Sequence, residues 1–372
     1  MHTLEFPKLG LSFELNSVAF TLFGIEIKWY GVLITLGIIL AFLYALKRTR
    51  SFGIDPDRMF DVSLAGLVGG VIGARLFYVI FEWDLYKDDL LSIFNTRKGG
   101  LAIYGGIIGA LLVGALFCKI RKVKLLPMFD LAALGLLIGQ CIGRWGNFFN
   151  IEAFGSNTDL PWGMYSEQTA SYLSAHQNEL LLSLGVTVDP TAPVHPCFLY
   201  ESLWCLIGFI LLHFLSKKRR YDGQIFLMYI AWYGFGRFFI EGLRTDSLLI
   251  GRLRVSQVLA AVFVIASVIT MLIIRSKIKR SGDPDYLPLY VNTEESKALL
   301  LEADQRRQEE KERHHRRKKQ AEEQENADAS AENPPETSAS TECVSEDVVD
   351  NGQENTDDTE QQGEETKDGT DH

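Results

Sequence analysis

A group of polar side chains follows a strongly apolar run in the segment GRWGNFFNIEAFG, residues 143–155. The segment supplies a guanidinium group, two amides and a carboxylate, from Arg144, Asn147, Asn150 and Glu152. A guanidinium group stays charged and can bind phosphate oxygens through two parallel hydrogen bonds. These residue types at this spacing therefore indicate a site for a phosphate or a similar anion.

A second polar set has helical spacing in the segment YGFGRFFIEGLR, residues 233–244. Tyr233, Arg237, Glu241 and Arg244 fall at positions i, i+4, i+8 and i+11, which is one face of a helix. Tyr233 and Glu241 can therefore each meet Arg237. Arg244 alone could equally extend its charge to the lipid headgroups.

The elements that must position these residues are seven apolar stretches of about 17 to 22 residues, each able to cross or nearly cross a hydrocarbon core. The sequence predicts an all-α polytopic membrane protein with seven transmembrane helices. The predicted spans are Trp29–Leu46, Phe60–Phe81, Leu101–Cys118, Pro127–Trp145, Cys197–Leu215, Gln224–Glu241 and Val255–Ile274.

The loop charges alternate along the chain. Clusters of Lys and Arg follow the first, third, fifth and seventh spans, whereas no Lys or Arg lies between Trp145 and Cys197. Because basic residues near helix ends are retained in the cytoplasm, the N-terminus is predicted outside and the C-terminus inside. No cleavable signal peptide is evident in residues 1–28.

The C-terminal part of the chain has a different composition. Residues 1–280 carry 27 Lys and Arg against 20 Asp and Glu, whereas the remaining 92 residues carry 10 against 27. The sequence predicts a transmembrane domain over residues 1–280, a charged cytoplasmic segment rich in helix formers over 281–325, and an acidic disordered tail over 326–372. The basic cluster at 313–319 fits a solvated helix face better than a lipid or nucleic-acid surface.

With that orientation, polar residues of five spans fall at one level, in the outer half of the bilayer. They are Arg75, Tyr104, Arg144, His195, Tyr200, Glu201, Arg237, Glu241 and Arg244. Ionisable residues in a membrane are usually paired, turned to a cavity or functional, so this convergence favours a binding cavity. The ligand expected at that depth is a phospholipid headgroup.

Glycines are predicted to serve two purposes. Gly143, Gly146 and Gly155 would let the backbone leave the fourth helix and turn its polar residues inward. The glycines of the second and third spans would allow close helix packing of the small-xxx-small type.

The sequence lacks the motifs of several classes of enzyme. There is no GxSxG or HExxH segment, and the five cysteines have no CxxC or metal-ligand spacing. No strand and helix alternation surrounds the glycines, which excludes a dinucleotide-binding fold. We therefore expect no cofactor, no metal and no nucleophile supplied by the protein.

Five segments together resemble the bacterial prolipoprotein diacylglyceryl transferase family. They are KWYG at 28–31, GGLAIYGG at 99–106, GRWGNFFNIEAFG at 143–155, HPCFLYE at 195–201 and YGFGRFFIEGLR at 233–244. The resemblance covers roughly residues 20–275 and omits the tail.

This resemblance implies a seven-helix enzyme of the bacterial plasma membrane, with its site toward the outer leaflet. Such an enzyme moves the diacylglyceryl group of phosphatidylglycerol to the lipobox cysteine thiol of a prolipoprotein, forming a thioether and releasing glycerol phosphate. The implied partners are phosphatidylglycerol, the prolipoprotein signal peptide and membrane lipids, with no nucleic acid. Two alternatives are a lipid-binding or transport protein that uses the same cavity, and an inactive homologue that acts as a scaffold.

The resemblance also implies roles for individual residues. Arg144 would bind the lipid phosphate, and Arg237 the same phosphate or the leaving group. The headgroup pocket would be shaped by Asn147, Asn150, Glu152 and Gly155, with Tyr233, Glu241 and Arg244 beside it. Glu152 would pair with Arg144 or accept a hydrogen bond from a glycerol hydroxyl.

The identity of the general base stays open at this point. Some family members have a histidine where this chain has Tyr104, which could act as a base only with a lowered pKa. His195 could be the base or a structural cap before the fifth span. Activation of the thiol by the positive field alone is the third possibility. Since the chemistry does not need the tail, truncation after Arg280 is predicted to leave transfer intact.

Overall fold

The computed structural model describes residues 2–95, 99–245, 249–251, 253–283 and 286–332. Most of the predicted acidic tail, residues 333–372, lies outside this description. The chain divides into two compact units, residues 1–310 and 311–372. In the second unit residues 311–324 are helical and solvent-exposed, including the basic cluster at 313–319.

The described chain is mostly helical, with nine α-helices. They are α1 Trp29–Arg48, α2 Pro56–Phe81, α3 Ile103–Ile120, α4 Leu125–Asn150, α5 Glu167–Leu184, α6 Cys197–Ser216, α7 Gln224–Leu243, α8 Val255–Ser281 and α9 Glu294–Glu332. The seven predicted spans correspond to α1–α4 and α6–α8, and each helix begins within about one turn of the predicted start.

Six of these helices, α1–α4, α6 and α8, are long and apolar enough to cross a membrane. Helix α7 falls short of them because Arg237, Glu241 and several Tyr, Trp and Gly residues lower its hydropathy. It nevertheless packs along α4, α6 and α8, so its polar residues lie inside the helical bundle.

Within the described residues, three antiparallel β-hairpins add to the helices, so this part of the chain is mostly but not purely helical. They pair β1 His2–Phe6 with β2 Leu11–Leu15, β3 Val18–Leu22 with β4 Ile25–Lys28, and β5 Leu249–Ile250 with β6 Leu253–Arg254. In β1 the alternate residues Leu4 and Phe6 are buried, as a half-buried strand requires.

The buried apolar residues form two clusters. One lies within the bundle and joins residues of α2, α4, α6 and α7, including Met59, Leu134 and Cys205. The other joins β1 and β2 to α5, to the segment that follows α4 and to the start of α6. The second cluster holds the segment after α4 in place, and this segment carries part of the polar signature.

The relative position of α4 and α7 is set by a buried carboxylate. Asp130 in the second turn of α4 is fully buried and accepts hydrogen bonds from the backbone N–H groups of Gly223 and Phe226, both at 2.8 Å. These are two of the donors that the start of a helix leaves without an intrahelical partner. Helix α7 has no side-chain cap of its own at Gly223, so a residue of α4 supplies one.

Helices α6 and α7 are joined by a reciprocal pair of tryptophans. The Trp204 and Trp232 rings stack with centroids 4.2 Å apart, and each indole N–H donates to the backbone carbonyl of the other, at 2.9 and 3.0 Å. The rings occupy space left by Gly208 and Gly236, where an added Cβ would lie 2.3 and 2.2 Å from an indole nitrogen. This packing sets the register in which polar residues of α6 and α7 face one another.

Helices α2 and α3 pack closely through glycines, which confirms the predicted small-residue contact. A Cβ added to Gly109 would lie 2.3 Å from the carbonyl oxygen of Gly69, and one added to Gly73 would lie 2.4 Å from that of Gly105. Backbones can approach this closely only where neither residue has a side chain.

We expect Gly109→Ala to destabilise the α2–α3 pair by about 1–3 kcal/mol, because the new methyl group overlaps backbone atoms that cannot move independently. Gly66→Ala is the matched control, since its Cβ would lie 3.6 Å from the carbonyl oxygen of Ala110, an ordinary contact. Both variants gain the same helix propensity. Thermal unfolding in detergent measures the difference, and equal midpoints for the two variants would contradict the prediction.

Candidate active site

Three neighbouring helices bring the predicted arginines together. Arg144 lies near the end of α4, Arg237 lies near the end of α7, and Glu201 lies in the second turn of α6 between them. Glu201 was predicted at the same level, without a role. In the structure it is the residue that connects the two arginines.

Glu201 bridges both guanidinium groups. Its Oε1 is paired with Arg144 Nη2 and accepts a hydrogen bond from the Tyr233 hydroxyl at 3.0 Å. Its Oε2 lies 3.0 Å from Arg237 Nη1. The Glu201 side chain is only 3% exposed, so the ion pairs are sheltered from the screening that weakens surface pairs.

A second carboxylate completes this network. Glu241 Oε2 lies 2.6 Å from Arg237 Nη2, and the two residues are one helical turn apart on α7. This contact confirms the predicted meeting of Glu241 with Arg237. Tyr233, which was also predicted to meet Arg237, instead donates to the shared Glu201 carboxylate. Two arginines and two glutamates therefore balance formally within the bundle.

The side chains of both arginines are partly accessible from outside the network. Arg144 is 21% exposed and Arg237 is 18% exposed, whereas their carboxylate partners are nearly fully buried. Arg244, just after α7, lies within electrostatic range of both Arg144 and Glu201. An anion that reaches this surface meets preorganised donors, and it has to share the arginines with Glu201.

Glu152 has partners other than the arginine predicted for it. Its carboxylate accepts from the side-chain amides of Asn147, at 3.3 Å, and Asn150, at 3.4 Å, while Arg144 pairs with Glu201. Neighbours in sequence thus form an amide–carboxylate group at the end of α4. Glu152 is exposed, so this group faces outward from the bundle.

The predicted break of the fourth helix at its glycines is wrong. Helix α4 continues through Gly143 and Gly146 to Asn150, and the backbone turns only at Ile151, which has a positive φ of 53°. An isolated glycine is tolerated within a helix. Gly146 instead makes room for Tyr30 of α1, since an added Cβ would lie 2.6 Å from that ring.

Gly155 lies where three segments meet. An added Cβ would lie 2.8 Å from the carbonyl oxygen of Leu243, at the end of α7, and 2.9 Å from both Cys197 Sγ and His195 Cβ. Its backbone N–H donates to the His195 carbonyl at 2.8 Å. The absence of a side chain at Gly155 therefore allows the end of α7 and the start of α6 to close around the segment after α4.

His195 lies just before α6, beside a short chain of polar aromatic residues. Its Nδ1 is 3.1 Å from the Tyr200 hydroxyl, which accepts a hydrogen bond from the Trp162 indole at 2.8 Å. Partial burial lowers the pKa of His195 below its usual range, so the imidazole is neutral near pH 7. These contacts fix His195 in the loop before α6, and none of them is with a residue of the arginine network.

Two residues predicted at the same level lie apart from the network. Arg75 donates to five backbone carbonyls, those of Ser92, Ile93, Asn95, Gly99 and Gly100, at 2.7–3.1 Å. It therefore organises the connection between α2 and α3. Tyr104 is half-buried in the first turn of α3, a helix that packs chiefly on α2, whereas the network lies on α4, α6 and α7.

Comparison with known proteins agrees with the signature segments. A family model described as prolipoprotein diacylglyceryl transferase matches residues 17–273. A phosphatidylglycerol–prolipoprotein diacylglyceryl transferase of Clostridioides difficile strain 630 is 43% identical over 267 residues, which are 72% of this chain and 98% of the relative. Proteins of the same name from Finegoldia magna and Clostridium novyi are 43% and 44% identical over 270 and 268 residues, 72% of this chain in each case and 100% and 98% of the relatives.

The matched region contains every residue of the arginine network and all five signature segments, and it spans more than half of the chain. The relatives are covered over almost their whole length, so the likeness extends beyond a shared module. The chain belongs to the prolipoprotein diacylglyceryl transferase family.

Proposed function

We propose that this protein transfers the diacylglyceryl group of phosphatidylglycerol to the lipobox cysteine thiol of prolipoproteins, the first step of lipoprotein maturation. The observation that carries the proposal is the pair of arginines, Arg144 and Arg237, held side by side on Glu201 within the region matched by the family. Two guanidinium forks at one place suit the phosphodiester of an anionic lipid.

We further propose that α7 is the seventh membrane span and that the site lies toward the outer leaflet of a bacterial plasma membrane. The packing of α7 against α4, α6 and α8 supports the first point. The alternation of basic loops supports the second, because it places the N-terminus outside and the tail in the cytoplasm. Donor lipid and exported substrate would then meet on the same side.

The reaction forms a carbon–sulfur bond and breaks a carbon–oxygen bond. The thiol loses its proton, the sulfur attacks the terminal glycerol carbon of the diacylglyceryl group, and glycerol phosphate leaves with the electron pair of the broken bond. Arg144 and Arg237 would hold the phosphate and stabilise the charge that develops on it. As the phosphate takes over hydrogen bonds from Glu201, the half-buried Tyr233 would hold the Glu201 carboxylate, and the buried Glu241 would keep Arg237 in place.

The rest of the headgroup would be recognised at the end of α4. Asn147, Asn150 and Glu152 form an outward-facing amide–carboxylate group that can exchange hydrogen bonds with glycerol hydroxyls. Gly155 would act by allowing the surrounding segments to close, and Arg244 by adding positive charge at the mouth of the site.

Two residues, His195 and Tyr104, are proposed as proton acceptors for the thiol, and they lie in different surroundings. His195 is neutral near pH 7, which suits a base, but its Nδ1 faces Tyr200, so only Nε2 would serve. Tyr104 lies on α3, apart from the arginine network, so it could accept the proton only if the bound substrate placed its thiol beside α3. A thiolate favoured by the positive field of the arginines requires neither residue.

The proposal is tested with wild-type protein in vesicles and a lipobox peptide, by following the peptide mass. We expect a gain of one diacylglyceryl group with phosphatidylglycerol, and none with phosphatidylcholine or with a peptide whose lipobox cysteine is serine. Lipid binding by well-folded protein without any mass gain would contradict transfer and favour the lipid-binding or transport alternative.

A further inference from the structure

A segment beyond the region matched by the family packs on the helical bundle. We name residues 289–307 the strap: they comprise one turn of 3-10 helix at Tyr290–Asn292 and the first part of α9. The strap contacts the end of the bundle at which α4 begins. Lys124 at that end is 20 residues from Arg144, or about 30 Å along the helix, so the strap lies far from the arginine network.

The first anchor of the strap is Tyr290. Its backbone N–H donates to Asp222 Oδ2 at 2.7 Å, in the turn between α6 and α7, and the residue is only 7% exposed. The ammonium group of Lys124 lies 5.7 Å from the centre of the Tyr290 ring and 3.1 Å from Glu295 Oε2. This part of the strap therefore connects the start of α4 to the turn before α7.

The second anchor is a close contact with the connection between α1 and α2. The Ser296 hydroxyl donates to the Gly53 carbonyl at 3.0 Å, and a Cβ on Gly53 would lie 2.4 Å from Ser296 Oγ and 2.7 Å from Val291 Cα. Ser296 and Ala303 are both fully buried. They are seven residues apart, two turns of one helix face, so α9 lies along this connection with its small residues inward.

The third anchor is a row of ion pairs. Asp304 pairs with Arg50 through both carboxylate oxygens, Arg306 pairs with Asp55, and Arg307 Nη2 lies 3.5 Å from Asp57 Oδ1. Asp55 also caps the start of α2 by accepting from the Asp57 backbone N–H. Such pairs are individually weak and sensitive to salt where they are exposed, but they fix the register of α9 on α2.

We propose that the strap is a structural clamp that holds the α2–α3 pair to the remaining helices from the end opposite the arginine network. Helices α2 and α3 pack chiefly on each other, and the strap ties the start of α2 to α4 and to the turn before α7. The body of the protein then ends near Glu310, where the first compact unit ends, rather than at Arg280. The proposal makes no use of the transfer reaction.

The test compares two full-length variants that carry the same substitution on the same helix. Ala303→Glu places a carboxylate at a fully buried position, whereas Ala298→Glu places it at an exposed one. We expect Ala303→Glu to lower the melting temperature in detergent by several degrees, and to speed trypsin cleavage after Lys297 and Arg306 at least about tenfold. Ala298→Glu is expected to match the wild type in both readouts. Equal behaviour of the two variants would overturn the proposal.

A second set of variants, in which the charges of one ion pair are exchanged, tests the clamp independently of a general folding defect in Ala303→Glu. Arg50→Asp removes one ion pair and should speed the same cleavages, and adding Asp304→Arg in the same chain should restore slow cleavage because the pair forms again with reversed charges. The cleavage products are identified by mass, since the second unit contains many other basic residues and Asp304→Arg adds a further trypsin site, so that only the cleavages after Lys297 and Arg306 are compared. Failure of the double variant to recover would overturn the assigned contact and with it the proposed clamp.

Discussion

Replacing Arg144 by alanine is expected to lower kcat/KM for transfer by about 10²–10³-fold, which corresponds to about 2.7–4 kcal/mol of transition-state stabilisation. The side chain pairs with Glu201 yet remains partly exposed, so it can donate to a lipid phosphate as charge develops there. Because a point charge cannot replace the guanidinium fork, Arg144→Lys is expected to recover only part of the rate. Peptide mass against time, at several phosphatidylglycerol concentrations, gives the rates.

The matched control is Arg121→Ala, which removes another arginine that is paired with a carboxylate, Asp61, at 2.6 Å. This pair is about 40% exposed and lies where α3 ends and α4 begins, far from the arginine network, so we expect transfer within about twofold of wild type. Melting curves for each variant separate loss of folding from loss of catalysis. A well-folded Arg144→Ala protein with nearly normal kcat/KM would remove Arg144 from the mechanism.

Much of the helical framework could be predicted because long apolar runs leave the backbone few alternatives in a membrane. Helix α6 begins at Cys197 as predicted, and α7 was found in spite of its arginine and its glutamate. Helix α5 was missed because more than half of its residues are polar, so it contains no apolar run long enough to cross a membrane. Its N-terminal signal, a capping box between Ser166 and Thr169, uses threonine where glutamate or glutamine is usual.

The partners within the site could be predicted along one helix but not between helices. The i, i+4 spacing correctly joined Arg237 to Glu241. Arg144 was offered as one of two partners for Glu152, whereas in the structure Arg144 pairs with Glu201, which is 57 positions away. Which residues of α4 and α6 face each other depends on tertiary packing, such as the Trp204–Trp232 pair, and a single sequence holds no direct record of it.

The contacts of the strap, a polar segment, could likewise not be predicted from the sequence. Its inward residues, Ser296 and Ala303, are small, and they lie in a helix whose charges are typical of a solvated surface. The prediction that truncation after Arg280 leaves transfer intact was therefore based only on the reaction chemistry and did not include the contacts of the strap. With the strap removed, Gly53, Asp55 and Asp222 lose the contacts that the strap makes with them, so a cut after Glu310 tests the tail more cleanly.

Glu201→Ala is expected to cost about 3–5 kcal/mol of stability, because it leaves a largely buried arginine without its counter-ion. The melting temperature should fall by about 2–4 °C for each kcal/mol. Glu152→Ala is the matched control: it removes an exposed glutamate whose hydrogen bonds are 3.3 and 3.4 Å long, and it should cost far less.

The lipid dependence of the same variant tests whether Glu201 and the phosphate share the arginines. With the carboxylate gone, a bound phosphodiester becomes the main counter-ion of Arg144, so phosphatidylglycerol should raise the melting temperature of Glu201→Ala more than that of wild type. Phosphatidylcholine, whose headgroup has no net charge, should change the melting temperatures of the two proteins by the same amount. Equal stabilisation of both proteins by phosphatidylglycerol would mean that the lipid phosphate binds elsewhere, and Glu201 would then be a structural counter-ion rather than the internal ligand that the substrate displaces.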